Sequence, residues 1–256
     1  ERAPLDLRAN RLKTMRSAVL PLIPGAVPTA HAQDGLRLVD ALNVEELPVY
    51  MDGRVEVQDE GSQLIAAACR AQPGMTVVDL CAGAGGKTLA LAADMENRGR
   101  LIACDADRAR LSRLGPRAER AGATNIETRL LDANREDEAL GDLIGAADVV
   151  LIDAPCSGTG TWRRNPEARW RLTPQRLARL TALQARLADL GVLLLKPGGR
   201  LVYAGCSRLP EEGLVLVEAL RERHPDLTSD VGGSQTLRPD RDETDGFFIA
   251  GYEKSC

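Results

Sequence analysis

Met75–Leu80 reads MTVVDL and runs directly into Cys81–Thr88, which reads CAGAGGKT. A short apolar run is typical of a buried strand, and a glycine-rich segment after it is typical of a strand-to-helix turn whose backbone approaches a ligand closely. A phosphate-binding P-loop would need Gly where Cys81 stands, and a GxGxxG dinucleotide loop would need Gly where Thr88 stands. The stretch therefore predicts a strand–loop–helix unit whose loop serves a ligand of another kind.

The alternation of apolar runs and helical segments continues on both sides of this turn. The expected strands are RLIACD (100–105), IETRLLD (126–132), DVVLID (148–153) and RLVYAG (200–205), and the expected helices include residues 61–71 and 174–195. Strands of continuous apolar character that alternate with helices indicate an α/β domain with a mainly parallel sheet.

The first part of the chain has a different pattern, with many turn residues. LDLRAN (5–10) and LRLVD (36–40) read as strands, and residues 12–23 read as a helix interrupted by prolines. We therefore expect a small α/β unit, residues 1–56, followed by a larger domain, residues 57–256.

The composition favours a cytoplasmic α/β protein. With 44% hydrophobic residues the chain can bury a sizeable core, and no apolar run is long enough to span a bilayer. Six cysteines without a CxxC pair and two histidines give no pattern for a zinc site or a disulfide framework, so we expect no metal and a reducing compartment. Because the sequence begins at Glu1 without a leader pattern, we expect a piece of a longer protein.

Arginine dominates the basic residues, 29 of 33, and clusters despite a net charge of −4. Arginine suits phosphate contact and base stacking better than lysine does. The first cluster is Arg2, Arg8, Arg11, Lys13 and Arg16; the second is Arg108, Arg110, Arg113, Arg117 and Arg120; the third is Arg163, Arg164, Arg169 and Arg171. The second is most simply a solvated helix face, whereas the third follows a candidate active-site loop.

Aspartate closes four successive predicted strands, at Asp79, Asp105, Asp132 and Asp153. Ligands of an open parallel sheet lie outside the carboxyl ends of the strands, so we expect the four side chains to line one crevice. Asp105 follows Asp79 by 26 residues, about where an acidic side chain contacts ribose hydroxyls. A single aspartate at the end of a strand would more simply cap the helix or turn that follows it. An acidic rim suits a cationic sulfonium better than a pyrophosphate, which favours S-adenosylmethionine as the cofactor.

Two cysteines follow the ends of neighbouring predicted strands. Cys156 lies in DAPCSGTG (153–160), and Cys206 lies in YAGCS (203–207), 50 residues later. A free cysteine is usually buried and inert, but two that converge beside a cofactor crevice indicate thiol chemistry.

The stretches DLCAGAGGKT, DAPCSGTG, RRNPEARW, AGCSRLPEEG and DGFFIA resemble the ordered motif set of the Sun/Fmu-type (RsmB-like) RNA cytosine-C5 methyltransferases. The resemblance runs from about Gln58 to the C-terminus and also covers LDLRAN. It implies a class I methyltransferase fold, with a Rossmann-like, mainly parallel seven-stranded sheet, helices on both faces and a small N-terminal α/β subdomain for RNA recognition. It also implies S-adenosylmethionine as cofactor and RNA as partner.

The resemblance further implies a role for each site residue. Cys206 corresponds to the nucleophile that adds to cytosine C6, Cys156 to the thiol that assists release, and Asp153 to the group that contacts the base near N3 and its exocyclic amine. Attack at C6 makes C5 electron-rich enough to take a methyl group. The residues implied to contact the cofactor are Cys81, Ala82, Gly83, Ala84, Gly85, Gly86, Lys87, Asp105, Arg110, Asp132, Ala133 and Asp153.

RNA contact is expected from Arg163, Arg164 and Asn165, directly after the cysteine loop, with the basic N-terminal unit as an opposing wall. The target base must leave its stack before a thiol can reach C6, so we expect single-stranded or flipped RNA. Trp162 and Trp170 are near this loop, and we expect them to pack beneath it.

Three positions depart from residues that are commoner in the family: Ala84 for Pro, Asn165 for His, and Gly205 for Thr. We expect the first to be harmless. Gly205 directly precedes Cys206 and either lacks a hydroxyl that would orient the loop or provides a hinge for it.

The sequence leaves alternatives open. A DNA cytosine methyltransferase runs the same chemistry with the cysteine of the Pro-Cys motif, so Cys156 would attack there. A non-catalytic RNA-binding or ribosome-assembly factor could keep the fold, although the presence of both cysteines, the four aspartates and Lys87 argues against it. Among RNAs, 16S rRNA is favoured and tRNA is second, and we expect a monomer.

Overall fold

The computed structural model describes residues 3–40 and 42–256, and this part of the chain forms two β-sheets with helices around them. The strands are β1 (Leu5–Ala9), β2 (Ala26–Pro28), β3 (Gly35–Leu38), β4 (Val55–Val57), β5 (Thr76–Asp79), β6 (Arg100–Asp105), β7 (Ile126–Leu130), β8 (Ala147–Asp153), β9 (Leu195–Gly205), β10 (Leu227–Leu237) and β11 (Phe247–Lys254). The α-helices are α1 (Arg16–Val19), α2 (Pro48–Met51), α3 (Glu60–Ala68), α4 (Gly86–Asp94), α5 (Arg108–Leu111), α6 (Leu114–Ala121), α7 (Glu136–Leu140), α8 (Pro174–Leu194) and α9 (Leu214–Arg223).

Seven strands form the larger sheet, in the order β10-β11-β9-β8-β5-β6-β7. The pairs from β9 through β7 are parallel, whereas β11 pairs antiparallel with β9 and β10 pairs antiparallel with β11. The chain runs outward from β5 in both directions, so a crevice is expected at the carboxyl ends of β5 and β8. The predicted α/β fold with a mainly parallel seven-stranded sheet is confirmed.

Helices cover both faces of this sheet because its central strands are apolar on both sides. On one face, α8 packs against β8, and Leu187 of α8 and Leu220 of α9 share a buried core with Ile152. On the other face, α3 and α4 pack against the alternate residues of the same strands, such as Leu151. Burial on both faces explains the continuous apolar runs by which these strands were predicted.

The smaller sheet is antiparallel, in the order β2-β3-β1-β4. Its last strand ends at Val57, one residue beyond the predicted boundary. The proline-interrupted helix predicted for residues 12–23 is shorter than expected: the segment contains α1 and a 3-10 helix at Leu20–Leu22. Pro21 has no amide hydrogen to continue α1, so the α-helix ends before it.

The two sheets are joined by polar contacts from buried side chains. The Asn10 Nδ2 donates to the carbonyl oxygens of Gly53 and Ala121, each over 2.8 Å. The Glu56 carboxylate of β4 accepts from Arg117 over 2.9 Å and also from Arg120, both on α6. The first part of the chain is thereby fixed to α6, which lies between β6 and β7 in the sequence.

Residues 3–40 and 42–256 contain neither a helix that could span a membrane nor a cluster of metal-binding side chains. No helix there has the length and apolar character needed to cross a bilayer. No three His, Cys, Asp or Glu side chains in the same ranges are grouped so as to hold a metal ion.

Candidate functional site

Two cysteine thiols lie side by side at the carboxyl ends of neighbouring parallel strands. Asp153, the last residue of β8, is paired with Ala204 of β9, and a cysteine follows each strand within three residues. The Sγ atoms of Cys156 and Cys206 are 3.2 Å apart, and both residues are partly exposed. The structure thus brings together the two thiols singled out in the sequence, at a position open to solvent.

The hydrogen bond between the two sulfurs shifts their pKa values in opposite directions. The hydrogen bond from Cys156 lowers the pKa of Cys206, against the opposing effect of burial, and the nearby Lys87 lowers it further. The same hydrogen bond, together with burial, raises the pKa of Cys156 well above its usual range. Cys206 is therefore the sulfur that ionises first, while Cys156 keeps its proton.

A largely buried ion pair lies next to these thiols. The Lys87 Nζ, in the first turn of α4, donates to the Asp153 carboxylate over 2.7 Å. Burial alone would lower the pKa of Lys87, but the charge and hydrogen bond of Asp153 raise it, so the side chain remains a cation. A fixed positive charge therefore faces Cys206, and the carboxylate implied to contact the base stands beside it.

Glu212 connects the two cysteine loops, and sequence reasoning missed it. Its carboxylate accepts from the Ser157 N–H over 2.8 Å, from the Ser207 hydroxyl over 2.6 Å and from the Ser157 hydroxyl. Glu212 is 1% exposed, and the Gln184 amide of α8 also donates to it over 3.0 Å. Because Ser157 follows Cys156 and Ser207 follows Cys206, one carboxylate fixes both loops; the repeated Cys-Ser pair was the available signal.

Backbone hydrogen bonds also join the loops. Gly160 N–H donates to the Cys206 carbonyl, and Gly246 N–H donates to the Gly160 carbonyl, each over 2.9 Å. A Cβ atom on Gly160 would overlap the Gly246 carbonyl oxygen, so a larger residue does not fit there. Gly205 differs: it pairs with Phe248 in the sheet, and a Cβ there would lie 3.9 Å from the Cys156 sulfur, an ordinary contact.

The glycine loop between β5 and α4 has the close-approach geometry that its sequence predicts. Gly83 and Gly85 have φ angles of +56° and +86°, which glycine adopts without strain. A Cβ on Gly83 would meet the Arg110 guanidinium. The Gly83 N–H donates to Asp105 Oδ2 over 2.7 Å. Three of the residues implied for cofactor contact, Gly83, Asp105 and Arg110, therefore meet at this loop.

The other implied loop residues form the turn itself. The Ala82 N–H donates to Cys104 O over 2.8 Å, the Gly85 N–H donates to Ala82 O over 2.9 Å, and Arg117 donates to Ala84 O over 2.7 Å. These bonds connect the turn to β6 and α6. The remaining two, Cys81 and Gly86, lie at its ends, after β5 and at the start of α4.

The four strand-end aspartates lie on adjacent strands but are not equivalent. Asp79 is fully buried, accepts from the Thr88 hydroxyl over 2.8 Å, and its Oδ1 has no hydrogen-bond partner among the described residues. Burial raises the pKa of Asp79 to about 7. Asp79 therefore lies beneath the loop, and the expectation that all four line one rim is wrong for it. Asp132 and its neighbour Ala133 are exposed just beyond β7.

The arginines expected to contact RNA are paired within the protein. Arg163 Nε donates to Asp245 over 2.7 Å, Arg164 Nε donates to the same carboxylate over 2.5 Å, and Arg164 also donates to Asp59 over 3.0 Å. These bonds anchor the cysteine loop to the start of β11 and of α3. Asn165 beside them is exposed.

The two tryptophans near the loop differ from each other. Trp162 is half-buried, and its Nε1 lies buried without a partner among the described residues. Trp170 is 77% exposed, so the expectation that it packs beneath the loop is wrong. The reason is local: the 3-10 helix Pro166–Arg171 has no buried residue.

The N-terminal basic cluster makes mostly internal contacts. Arg8 is 4% exposed and donates to Gln58 over 2.7 Å. Lys13 donates to backbone carbonyls over 2.6 and 2.8 Å, and Arg11 pairs with Asp34 over 2.9 Å. Arg2 lies outside the described residues. These described cations are engaged within the protein and do not form a free positive wall.

Comparison with known proteins adds an independent observation to this geometry. A family model described as 16S rRNA methyltransferase RsmB/F matches residues 66–253. The chain is 34% identical to the probable ribosomal RNA small subunit methyltransferase B of Synechocystis over 98% of its own length, and 36% identical to ribosomal RNA small subunit methyltransferase B of Salmonella newport, also over 98%. It spans 60% and 59% of those two relatives.

Solved structures show the same fold. The crystal structure of a methyltransferase homolog protein from Pyrococcus horikoshii superposes with a TM-score of 0.86 at 28% identity, over 99% of this chain and 87% of that one. The family match includes the glycine loop, both cysteines, Lys87 and Glu212. The chain therefore belongs to the 16S rRNA methyltransferase RsmB/F family.

Proposed function

We propose that this chain is the catalytic part of an S-adenosylmethionine-dependent RNA (cytosine-5) methyltransferase that acts on 16S rRNA of the small ribosomal subunit. The observation that carries the proposal is the pair of thiols 3.2 Å apart beside the Lys87–Asp153 ion pair. The family of the chain supports the RNA substrate. We further propose that it works as a monomer in the cytoplasm.

The residues around the glycine loop fit S-adenosylmethionine. Gly83, Asp105 and the Arg110 guanidinium meet at this loop, and the partly exposed Asp153 carboxylate lies at the end of the neighbouring strand β8. Cys81 to Lys87 would approach the cofactor by backbone, Asp105 would contact its ribose, and Arg110, Asp132 and Ala133 would flank it. When bound, the cofactor supplies a methyl group on a positively charged sulfur, which suits a site with several carboxylates.

Cys206 would act as the nucleophile because its pKa is lowered by the hydrogen bond from Cys156. Its thiolate forms a bond to C6 of the cytosine, and the electron pair of the C5–C6 double bond moves to C5. Asp153 contacts the base near N3 and the exocyclic amine, and Lys87 holds that carboxylate in position. Carbon 5 is then electron-rich enough to be methylated.

Cys156 would act in the second half of the reaction. Transfer of the C5 proton to a water molecule reforms the C5–C6 double bond as the C6–S bond breaks, which releases the Cys206 thiolate. A thiol whose pKa is raised keeps its proton and can donate it in a hydrogen bond to the departing sulfur at 3.2 Å. Stabilising a leaving thiolate speeds elimination, so removal of Cys156 slows release more than attack.

A trapping experiment tests the two roles. Each variant is incubated with the cofactor and a single-stranded RNA that contains 5-fluorocytidine, which has no C5 proton to lose, and denaturant-resistant protein–RNA adduct is measured. Wild type and Cys156→Ala are expected to form the adduct, and Cys206→Ala is not. Cys256→Ala, which removes an exposed thiol, is the control and should behave as wild type.

The opposite result would overturn the assignment. Loss of adduct in Cys156→Ala alone would make Cys156 the nucleophile, as in DNA cytosine methyltransferases. Absence of adduct in wild type, together with no binding of S-adenosylmethionine by calorimetry, would favour a non-catalytic RNA-binding factor. Bisulfite mapping of RNA from cells with and without the protein then distinguishes 16S rRNA from tRNA as the substrate.

A further inference from the structure

Trp170 is the most exposed large hydrophobic side chain among the described residues, at 77%. The Arg169 guanidinium lies 4.7 Å from the centre of its ring, so a cation borders the aromatic surface. A single exposed apolar residue needs no explanation by itself. A solvent-facing indole beside an unpaired arginine, however, is the combination that stacks on nucleic-acid bases.

The sequence around this aromatic side chain is rich in arginine. Residues 163–180 contain six arginines and one acidic residue, Glu167, in a chain whose net charge is −4. Arg163 and Arg164 are neutralised by Asp245 and Asp59. The other four form no salt bridge with any residue in 3–40 or 42–256, and all are exposed: Arg169, Arg171, Arg176 and Arg179. They extend from the 3-10 helix onto the first turns of α8.

This strip is tethered to the thiols. Gly160 N–H donates to the carbonyl of Cys206, and Trp170 follows Gly160 by ten residues, most of them in two 3-10 helices. A 3-10 helix rises about 2 Å per residue and extended chain about 3.5 Å, so Trp170 lies no more than about 30 Å from that point. An RNA strand held at Cys206 can therefore reach the strip within a few nucleotides.

We propose that Trp170 and Arg169 form a stacking platform for a base of single-stranded RNA next to the target cytosine. The proposal rests on the proposed function and adds where the strand is held. Arg171, Arg176 and Arg179 contact its phosphates. An unstacked strand is required because an indole stacks only on a base whose face is exposed, and the target itself must be unstacked. This location replaces the ion-paired Arg163 and Arg164 as the main RNA contact.

Intrinsic fluorescence tests the platform directly, because the chain has two tryptophans. Trp162→Phe leaves Trp170 as the reporter, and Trp170→Phe leaves Trp162. Phe is tolerated at position 162 because the indole N–H has no partner to lose among the described residues. Titration with a twelve-nucleotide single-stranded RNA is expected to quench Trp162→Phe and to leave Trp170→Phe unquenched.

The second measurement is the affinity of each variant for the same RNA, which is labelled with a fluorophore and followed by fluorescence anisotropy. Loss of one stacked base weakens binding by about tenfold, so Trp170→Ala should bind about tenfold more weakly, whereas Trp170→Phe, which keeps an aromatic face, stays close to wild type. Leu214→Ala, an exposed apolar residue on α9, is the control and should not change affinity. Replacing the four unpaired arginines by Gln should flatten the salt dependence by about 0.7 per lost contact.

Unquenched fluorescence in Trp162→Phe, or wild-type affinity in Trp170→Ala, would overturn the platform. The adduct assay on the same samples keeps this failure separate from failure of the proposed function. If Trp170→Ala binds normally and wild type still forms the Cys206 adduct, the platform is wrong and the enzyme assignment stands. If wild type neither binds RNA nor forms the adduct, the assignment itself is wrong.

Discussion

The hydrogen bond between Cys156 and Cys206 determines which of the two sulfurs ionises first. Two thiolates 3.2 Å apart would repel each other strongly, so ionisation of one sulfur suppresses ionisation of the other. The hydrogen bond from Cys156 is the largest cause that lowers the pKa of Cys206, and the charge of Lys87 lowers it too, whereas burial and the charge of Asp153 raise it. The two residues have the same side chain, so their different acidities arise from these surroundings.

Alkylation of Cys206 by iodoacetamide should therefore depend on Cys156. The reactive form is the thiolate, so the rate rises with pH up to the pKa of Cys206. Replacing Cys156 by Ala removes the hydrogen bond that lowers this pKa, so the rise should move to higher pH and alkylation near neutral pH should become several-fold slower. Mass spectrometry of the peptide that contains Cys206, across a pH series, measures it.

Cys69→Ala is a control that leaves the pair intact, because Cys69 lies buried in the core around α3. A pH profile for Cys206 that is unchanged in Cys156→Ala would show that the neighbouring thiol does not set its acidity.

The Glu212 carboxylate binds both cysteine loops, and we expect its charge to keep the two sulfurs close together. Glu212→Gln keeps the shape but weakens the charge-assisted bonds to Ser157 and Ser207, each worth about 1.5–3 kcal/mol. We expect the free energy of unfolding to fall by about 2 kcal/mol and the adduct to form more slowly. We also expect the Cys206 alkylation profile to move to higher pH, because the sulfurs separate.

The neighbouring Glu211→Gln provides a matched control, since Glu211 is exposed. It should leave both measurements within error of wild type. If Glu212→Gln lowered stability without moving the alkylation profile, Glu212 would stabilise the fold and not position the thiols.

The sequence predicts a helix or strand well when the contacts that stabilise it leave a pattern in its own residues. Strands β5, β6, β8 and β9 are buried on both faces, so their own residues show continuous apolar runs. Strands β2 and β4 have three residues each, too few for a pattern. Residues 12–23 look helical in hydrophobicity, but Pro21 interrupts the helix. Contacts such as that of Glu212 join residues 55 positions apart and leave no local signal.

The junction of β5 and α4 contains a carboxylate that is costly to ionise. Asp79 has a folded pKa of about 7, against 3.8 for an unperturbed aspartate, because it is fully buried. Between these values the folded state binds more protons than the unfolded state, so this group makes stability fall as pH rises from about 4 to about 7, and the loss persists above pH 7.

Asp79→Asn should therefore be more stable than wild type at pH 8, by on the order of 3 kcal/mol, with the gap shrinking as pH falls toward 5. The amide oxygen can still accept from Thr88, so the local hydrogen bond is kept. Urea unfolding of both proteins at pH 5, 6.5 and 8 measures the gap. A gap that is constant with pH would mean that Asp79 does not titrate in this range.

For the whole molecule, the net charge does not predict where RNA would bind. Some arginines form ion pairs inside the protein, and others remain exposed to solvent. Arg164 pairs with Asp245, 81 residues away, and Arg117 pairs with Glu56, 61 residues away. Such pairs fix the smaller sheet and the cysteine loop to the larger domain. Four exposed arginines that form no salt bridge among the described residues lie on and just after the 3-10 helix that contains Trp170: Arg169, Arg171, Arg176 and Arg179. Sequence alone shows how many arginines there are, whereas only the fold shows which of them are free to meet a phosphate.

The contribution of the Glu56 ion pairs to joining the two sheets should be measurable as a change in the free energy of unfolding. Its side chain is 2% exposed and accepts from Arg117 and Arg120, which are themselves only 27% and 20% exposed. Breaking a fully buried pair costs about 3–5 kcal/mol, and partial exposure of the arginines reduces this, so Glu56→Gln should lower the free energy of unfolding by about 2 kcal/mol. Glu138→Gln removes an exposed pair with Arg135 and should cost less than about 0.5 kcal/mol. Urea unfolding followed by far-ultraviolet circular dichroism compares them, and equal, small losses would mean that the ion pairs do not fasten the N-terminal sheet to the rest of the protein.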